Sequence, residues 1–342
     1  MIKYLGSKRV LLPAILEAIA VAAPDATSVL DLFSGTSRVG HACKRAGYRV
    51  IANDHNAYAA TLARCYVAAD REEHLEEAER LIAELGHTPP KDGWFTETYA
   101  RQSRYFQPKN AARIEGIRER IAQLALPPEL EAIVLVSLME AADRVDSTTG
   151  VQMAYLKSWA ARASNDLALR VPDFLPRAKG GKGEAHQLDA REAARTLEAD
   201  VAYVDPPYNQ HSYLGNYHVW ETLVRWDRPE TFGVAMKRVD VRERQSPFNR
   251  AREAEATLAE TIAAIRARAL VVSFNDEGYV SRAAMESMLA SRGHDVRVVE
   301  IDYKRYVGAK IGIFNPRGEK VGKVGRLRNT ELLFVATPRD AS

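Results

Sequence analysis

Directly after the apolar run Val201-Ala202-Tyr203-Val204 the chain carries Asp205-Pro206-Pro207-Tyr208. Average residue usage produces that tetrapeptide in roughly one chain in a thousand of this length. Both prolines lack an N–H and hold φ near about −65°, so the turn offers acceptors in a fixed direction: the Asp205 carboxylate and the Pro206 carbonyl. Such a pair suits an exocyclic amine on a nucleobase. That nitrogen is a poor nucleophile while its lone pair is delocalised into the ring, and acceptors on both N–H groups favour the tetrahedral geometry that attack requires. Tyr208 adds a ring on which an extruded base can stack. A strand-ending turn with a capping Asp is the plainer alternative.

A second constellation, Asp31-Leu32-Phe33-Ser34-Gly35-Thr36-Ser37-Arg38-Val39-Gly40, follows a predicted strand and opens a predicted helix. A glycine turn in that context lets a nucleotide-like ligand approach the backbone. An acidic group about 20 residues further on, at the end of the next strand, would hold ribose hydroxyls, and Asp54 stands there. The dinucleotide pattern G-x-G-x-x-G is absent, because Ser37 occupies its second glycine position. An adenosine-type ligand without a pyrophosphate fits better.

These residues need a sheet to hold them. The opening predicts helix over 8–22, strand over 28–32, helix over 38–46, strand over 48–53 and helix over 56–68; continuous apolar strands alternating with helices imply buried parallel strands. From about residue 70 to 185 the alternation gives way to amphipathic stretches at 75–85, 111–124 and 129–142, a mostly helical insert. Strands resume at 201–204, 270–274, 295–301 and 331–336, with helices near 251–267 and 280–291. Lys179-Gly180-Gly181-Lys182-Gly183 reads as a flexible linker marking the insert's return to the sheet.

The 342 residues are 46% hydrophobic and 27% charged, a globular balance that excludes global disorder, collagen-like sequence and a membrane bundle. No apolar stretch nears the roughly eighteen residues of a membrane span. Pro13 and Glu17 interrupt the run Val10 to Ala23 that, behind Lys3, Lys8 and Arg9, would otherwise look like an export signal. Two isolated cysteines, Cys43 and Cys65, support neither a disulfide framework nor a zinc site, and the eight histidines show no ligand spacing, so no metal is expected. A cytoplasmic location is the expectation.

Net charge is only +3, but Tyr303 to Arg328 alone carries +7, with Lys304, Arg305 and Lys310 at its start, leaving −4 for the rest. That segment is read either as a phosphate-backbone contact or as a solvated hairpin. A second cluster comprises Lys237, Arg238, Arg242, Arg244, Arg250 and Arg252, while 71–85 is Glu-rich and reads as an exposed helix face. His211 and Tyr213, just past the proline turn, could meet a flipped base or its phosphate, or be incidental to it.

The order Lys3-Tyr4-Leu5-Gly6-Ser7-Lys8, then Asp31-Leu32-Phe33-Ser34-Gly35, then a helical insert, then Asp205-Pro206-Pro207-Tyr208, resembles the Dam-type (alpha class) DNA adenine methyltransferases. The continuation Asn209-Gln210-His211-Ser212-Tyr213 through Asn216-Tyr217-His218 is similar to the modification enzymes of restriction systems. The resemblance covers the first 70 residues and Gln187 onward; the insert matches loosely. It implies an α/β fold, a Rossmann-like S-adenosylmethionine-dependent sheet formed by residues 1–70 and 185–342, with residues 71–184 as a target-recognition insert. S-adenosylmethionine would be the methyl donor. Tyr4 and Lys8 would cradle its methionine end with Asp31, Phe33 and Gly35, Asp54 would take the ribose, and Asp189 the cofactor's adenine amine. The family's loop often reads F-x-G-x-G, and Ser37 departs from it.

The function this implies is site-specific transfer to a flipped adenine in double-stranded DNA, through Asp205, Pro206, Pro207 and Tyr208, with Asn209, His211, Tyr213, Lys304, Arg305 and Lys310 toward the DNA and a cognate restriction enzyme as a further partner. Cytosine-N4 transfer, an RNA substrate and a catalytically silent DNA-binding module are the alternatives; Asp rather than Ser opening the Pro-Pro-Tyr motif favours adenine by family analogy. Three other stretches carry double readings. Residues 273–278 are ligand-edge or helix-cap residues, Thr98 to Lys109 a DNA contact or helix packing, and Asp143 to Gly150 a groove contact or a structural loop.

Overall fold

The computed structural model describes residues 1–275, 278–304, 313–314, 320–322 and 328–339. Seven strands form one sheet: β1 (Ser28–Asp31), β2 (Arg49–Asn53), β3 (Glu184–His186), β4 (Val201–Val204), β5 (Ala269–Asn275), β6 (His294–Lys304) and β7 (Arg328–Pro338). Their order is β3-β2-β1-β4-β5-β7-β6. All neighbours run parallel except β7, which is antiparallel to both β5 and β6. Strands β4 and β5 are buried at every position, which explains their unbroken apolar sequence.

Helices cover both faces. On one, α1 (Leu12–Ala22) and α2 (Arg38–Arg45) join Ile15, Ile19, Val39 and Cys43 to Val29, Val201 and Val271. Pro13 sits in the first turn of α1, where its missing N–H has no helical partner to lose. On the other, α7 (Ala190–Thr196), α9 (Ala254–Ala264) and α10 (Arg282–Ala290) pack Ala193, Leu258, Ile262 and Met285 against Leu30, Ala202 and Leu270. The helix predicted over 56–68 is α3 (Ala57–Ala63), continued by a π turn at Arg64–Ala68.

The helical segment is built from α4 (Arg71–Gly86), α5 (Pro108–Leu124) and α6 (Pro128–Val145). Its core does not stand apart. Leu81, Ile117 and Val134 belong to one apolar cluster with Tyr58 and Leu62 of α3, Trp220 of α8 (His218–Arg225), and Ile2. The chain re-enters the sheet through Gly180 and Gly183, and here the reading of a flexible linker is corrected. A Cβ at Gly180 would stand 2.4 Å from the Thr27 carbonyl oxygen and 2.6 Å from the Arg49 nitrogen, and one at Gly183 would stand 2.6 Å from the Val67 oxygen. The glycines let one backbone pass against another.

Strand order reverses between β1 and β4, the point where open α/β sheets form a crevice at their carboxyl ends. Asp31 is the register partner of Tyr203, so Asp205 emerges two residues later on the same edge. Among the described residues no helix is long and apolar enough to cross a membrane.

Candidate active site

A cavity of about 280 Å³ opens at that crevice. Tyr4, Lys8, Asp31, Phe33, Gly35, Asp54 and Asp189 all line it, and so do Asp205 and Pro207. The glycine loop and the proline turn, separated by about half the chain, therefore share one space.

The loop after β1 is held from two sides. Asp54 Oδ2 accepts the Gly35 amide at 2.9 Å, and its Oδ1 accepts from the Asn56 amide at 2.9 Å. Gly35 has φ of +52°, and a Cβ there would lie 3.3 Å from the Tyr4 ring. Ser37, the departure from the family's glycine, adopts the glycine-like path anyway, at φ 58° and ψ 23°. Its hydroxyl is buried without a hydrogen-bond partner among the described residues. Tyr4 is stacked between Tyr213 and Tyr217, with ring centroids at 5.3 Å and 4.6 Å and planes within 8° and 13° of parallel. Phe33 meets Phe248 edge to face at 5.2 Å.

The pocket's polar groups suit a cationic, adenosine-bearing ligand. Asp31 Oδ2 accepts the Gly40 amide at 3.1 Å, while its buried Oδ1 has no partner among the described residues. Burial pushes the Asp31 carboxyl up to about 7. A bound positive group would satisfy that oxygen and restore its charge. Asp189 caps α7 by accepting the Arg191 amide at 2.9 Å. Of the basic groups that line it, Lys8, Arg191 and Arg244 are engaged with Asp205, Asp189 and Glu221 respectively, while Arg38 makes no ion pair among the described residues.

At the turn, Lys8 Nζ lies 3.0 Å from Asp205 Oδ1. Burial raises the Asp205 carboxyl to about 6 against the pull of Lys8, with Glu331 adding to the rise. Behind the turn, the Tyr279 amide donates to the Tyr208 carbonyl at 3.1 Å, and the Tyr208 ring meets Phe274 edge-on at 6.3 Å. Asn249 Nδ2 donates to the carbonyls of Asn209 at 2.7 Å and His211 at 3.2 Å, clipping the strand-to-helix loop from outside.

A sequence profile of the D12 class N6 adenine-specific DNA methyltransferases matches residues 4–288. The chain belongs to that family. It is 31% identical over 323 residues to the type II methyltransferase M.FokI of Planomicrobium okeanokoites, covering 89% of this chain and 49% of that protein. The modification methylase StsI of Streptococcus sanguinis is 28% identical over 325 residues, with 89% and 48% covered. The type II methyltransferase M.CviAII of Paramecium bursaria Chlorella virus 1 is 30% identical over 319 residues, with 89% and 92% covered. The chain thus spans about half the length of M.FokI and StsI. S-adenosylmethionine is the methyl donor that goes with the D12 class.

Not every residue assigned to DNA stands on an outer face of this D12-class chain. Tyr213 lies inside, against Tyr4, and lines the same cavity. Asn209 turns its side chain back to accept the His211 amide at 3.0 Å, and of this group His211 is exposed. Lys304 ends β6; Arg305 and Lys310, like most of the basic stretch, lie outside the described residues, as do Asp276 and Glu277.

Three sequence readings change. In the second basic cluster, Arg238 is buried between Asp227 and Asp240, Arg244 pairs with Glu221, and Arg242 covers the Phe232 ring at 3.8 Å. Arg238 and Arg244 are thereby tied into the interior, while Arg242, Arg250 and Arg252 stand exposed. In Thr98 to Lys109, Tyr99, Tyr105 and Phe106 are core residues, Arg101 pairs with Asp92, and Lys109 pairs with Asp166. Helix packing accounts for the aromatics. The loop Asp143 to Gly150 is also structural: Asp146 accepts from Lys3 at 2.9 Å and from Arg162, and Lys3 Nζ donates to the Asp143 carbonyl at 2.7 Å.

Sequence reasoning missed Glu331, Phe248, Asn249 and Tyr217. Glu331 had a visible signal, a charge heading the apolar strand Leu332-Leu333-Phe334-Val335, and Tyr217 stood within the family-like continuation without a role. One group among the described residues has metal-like spacing, Glu73, His74 and Glu129. The Lys182 ammonium bridges its two carboxylates at 2.8 Å and 3.1 Å, so the cluster already holds a cation.

Proposed function

We propose that this chain methylates the exocyclic N6 of an adenine at a fixed sequence in double-stranded DNA. The observation that carries this reading is the common cavity: the acceptor turn at Asp205 and the ligand loop at Gly35 open into one space of about 280 Å³. Membership of the D12 class supports adenine over cytosine.

When bound, S-adenosylmethionine supplies a methyl group already activated as a sulfonium, so no metal or strong base is required to make it reactive. In our reading Asp31 meets the donor's positive amino group, Tyr4, Phe33 and Gly35 shape its seat, Asp54 orients the ribose, and Asp189 takes the adenine amine. Asp205 and the Pro206 carbonyl accept the two N–H groups of the target amine, and Tyr208 stacks on the base. Asp205 then takes up the proton released when nitrogen has gained its methyl. Positioning donor and acceptor in line, with water excluded, supplies the rate. Turning the base out of the duplex costs about a few kcal/mol.

Residues 1–70 and 185–342 are read as the catalytic body and 71–184 as the part that selects the target sequence, with His211 and the basic stretch at 303–328 toward the DNA. A cognate restriction enzyme would act on the same site in a cytoplasmic setting. Transfer of labelled methyl from S-adenosylmethionine to mixed-sequence DNA, followed by digestion to nucleosides, tests the reading. Label in N6-methyl-2′-deoxyadenosine is the expected result; label in N4-methyl-2′-deoxycytidine, or in no nucleoside at all, defeats it.

A further inference from the structure

Three charges meet beneath the proline turn. Lys8 Nζ lies 3.0 Å from Asp205 Oδ1 and 2.5 Å from Glu331 Oε1. Glu331 is 1% exposed and comes from β7, the reversed strand, where its Oε1 also accepts the Ser273 hydroxyl of β5. A pair of Asp205 with Lys8 would already be neutral. Adding a second buried carboxylate leaves the group negative and is unfavourable in hydration, so fold stability alone does not call for it.

The second carboxylate changes what Lys8 can do. A single ammonium anchored on Glu331 cannot collapse fully onto Asp205 and neutralise it. We propose that Glu331 is a positioning residue for methyl transfer: it fixes the Lys8 ammonium on one oxygen of Asp205 and so keeps the other oxygen available to the substrate amine. This rests on the role given to Asp205 above. It also recasts Lys8 as the counter-ion of the acceptor turn, in addition to its place in the cofactor pocket wall. Among the described residues, the other titratable groups that interact with Asp205 are Asp31 of β1, Tyr203 of β4 and Tyr213 beyond the turn, none of them a cation.

Glu331→Gln keeps the side chain's shape and removes its charge. The expected loss in kcat is roughly 10- to 100-fold, the scale of a small misplacement at a reacting centre. The Kd for S-adenosylmethionine and the KM for DNA stay within about threefold, because the interaction acts on the chemical step. Losing a nearby negative charge also makes Asp205 harder to protonate. The acid limb of the kcat profile therefore moves to lower pH, and a carbon-13 titration of the Asp205 carboxyl in the free protein moves with it. Lys8→Met moves that titration the other way, and Glu331→Asp, which keeps the charge, leaves it near the parent midpoint and recovers most of kcat.

Unchanged kcat and an unchanged Asp205 titration in Glu331→Gln would overturn the proposal. So would a loss confined to cofactor affinity, which would make Glu331 a pocket residue only. Should Glu331→Gln not fold, the other two variants decide: a Lys8→Met midpoint that does not rise, or a Glu331→Asp midpoint that falls as if the charge were gone, overturns it. Parent protein that binds S-adenosylmethionine yet methylates no DNA would refute the proposed function instead, while the titrations of the free protein would still report on Glu331.

Discussion

Asp54, at the end of β2, holds the backbone of Gly35, in the loop after β1, through a hydrogen bond of 2.9 Å. One carboxylate thus shapes the ligand loop before any ligand arrives. Asp54→Ala removes the clamp on Gly35 and the bond to Asn56 together. Isothermal titration is expected to show S-adenosylmethionine bound roughly tenfold more weakly, and thermal denaturation a loss of about 1 kcal/mol or more.

Asp205→Ala separates binding from chemistry. Cofactor affinity is expected to stay within about threefold, while methyl transfer falls by roughly 10²- to 10⁴-fold, the range for loss of a proton-accepting group.

The pH dependence of the parent protein follows from the same carboxyl. In the role proposed for Asp205 the ionised form is the working one, and burial lifts its carboxyl to about 6. Single-turnover transfer is therefore expected to rise with pH through about 6 and to level off above it. A profile already flat from pH 4.5 upward would contradict the acceptor role.

Ser37 offers a gain in stability. It occupies the left-handed region at φ 58° with a buried hydroxyl that finds no partner among the described residues. Ser37→Gly relieves about 1 to 2 kcal/mol of backbone strain and gives back about 0.5 to 1 kcal/mol in chain entropy. A modest rise in Tm is expected, with cofactor affinity retained.

Gly180 offers the reverse. Its Cβ position is taken by backbone atoms of Thr27 and Arg49, which cannot rotate away as a side chain would. Gly180→Ala is expected to destabilise the fold by about 1 to 3 kcal/mol or more in denaturant titration, while the surviving folded fraction keeps its affinity for S-adenosylmethionine.

What the sequence disclosed depended on how local the cause was. Strands β1, β4 and β5 are legible because both faces are buried, so Val29-Leu30 and Val201 to Val204 are apolar without alternation. The two motifs are legible because each sits within a few residues of its strand. Glu331 and Lys8 are 323 positions apart, and only the register of β7 beside β5 brings them together. The tyrosine stack of Tyr4, Tyr213 and Tyr217 is equally non-local. Within the basic cluster at 237–252 the pairing of two members was hidden for a related reason: Glu221 and Asp227, which pair with Arg244 and Arg238, precede it in the chain. Gly180 and Gly183 looked pliant because glycine marks both a flexible tether and a close crossing, and composition cannot distinguish them.

The antiparallel strand β7 lies between β5 and β6 although it follows both in the chain. Those two strands consequently share no ladder, and β7 is inserted between them. The same insertion delivers Glu331 to Lys8. Without β7 the sheet is incomplete and Lys8 keeps only Asp205 of its two carboxylate partners, so the strand that closes the scaffold also completes the charge cluster beneath the proline turn.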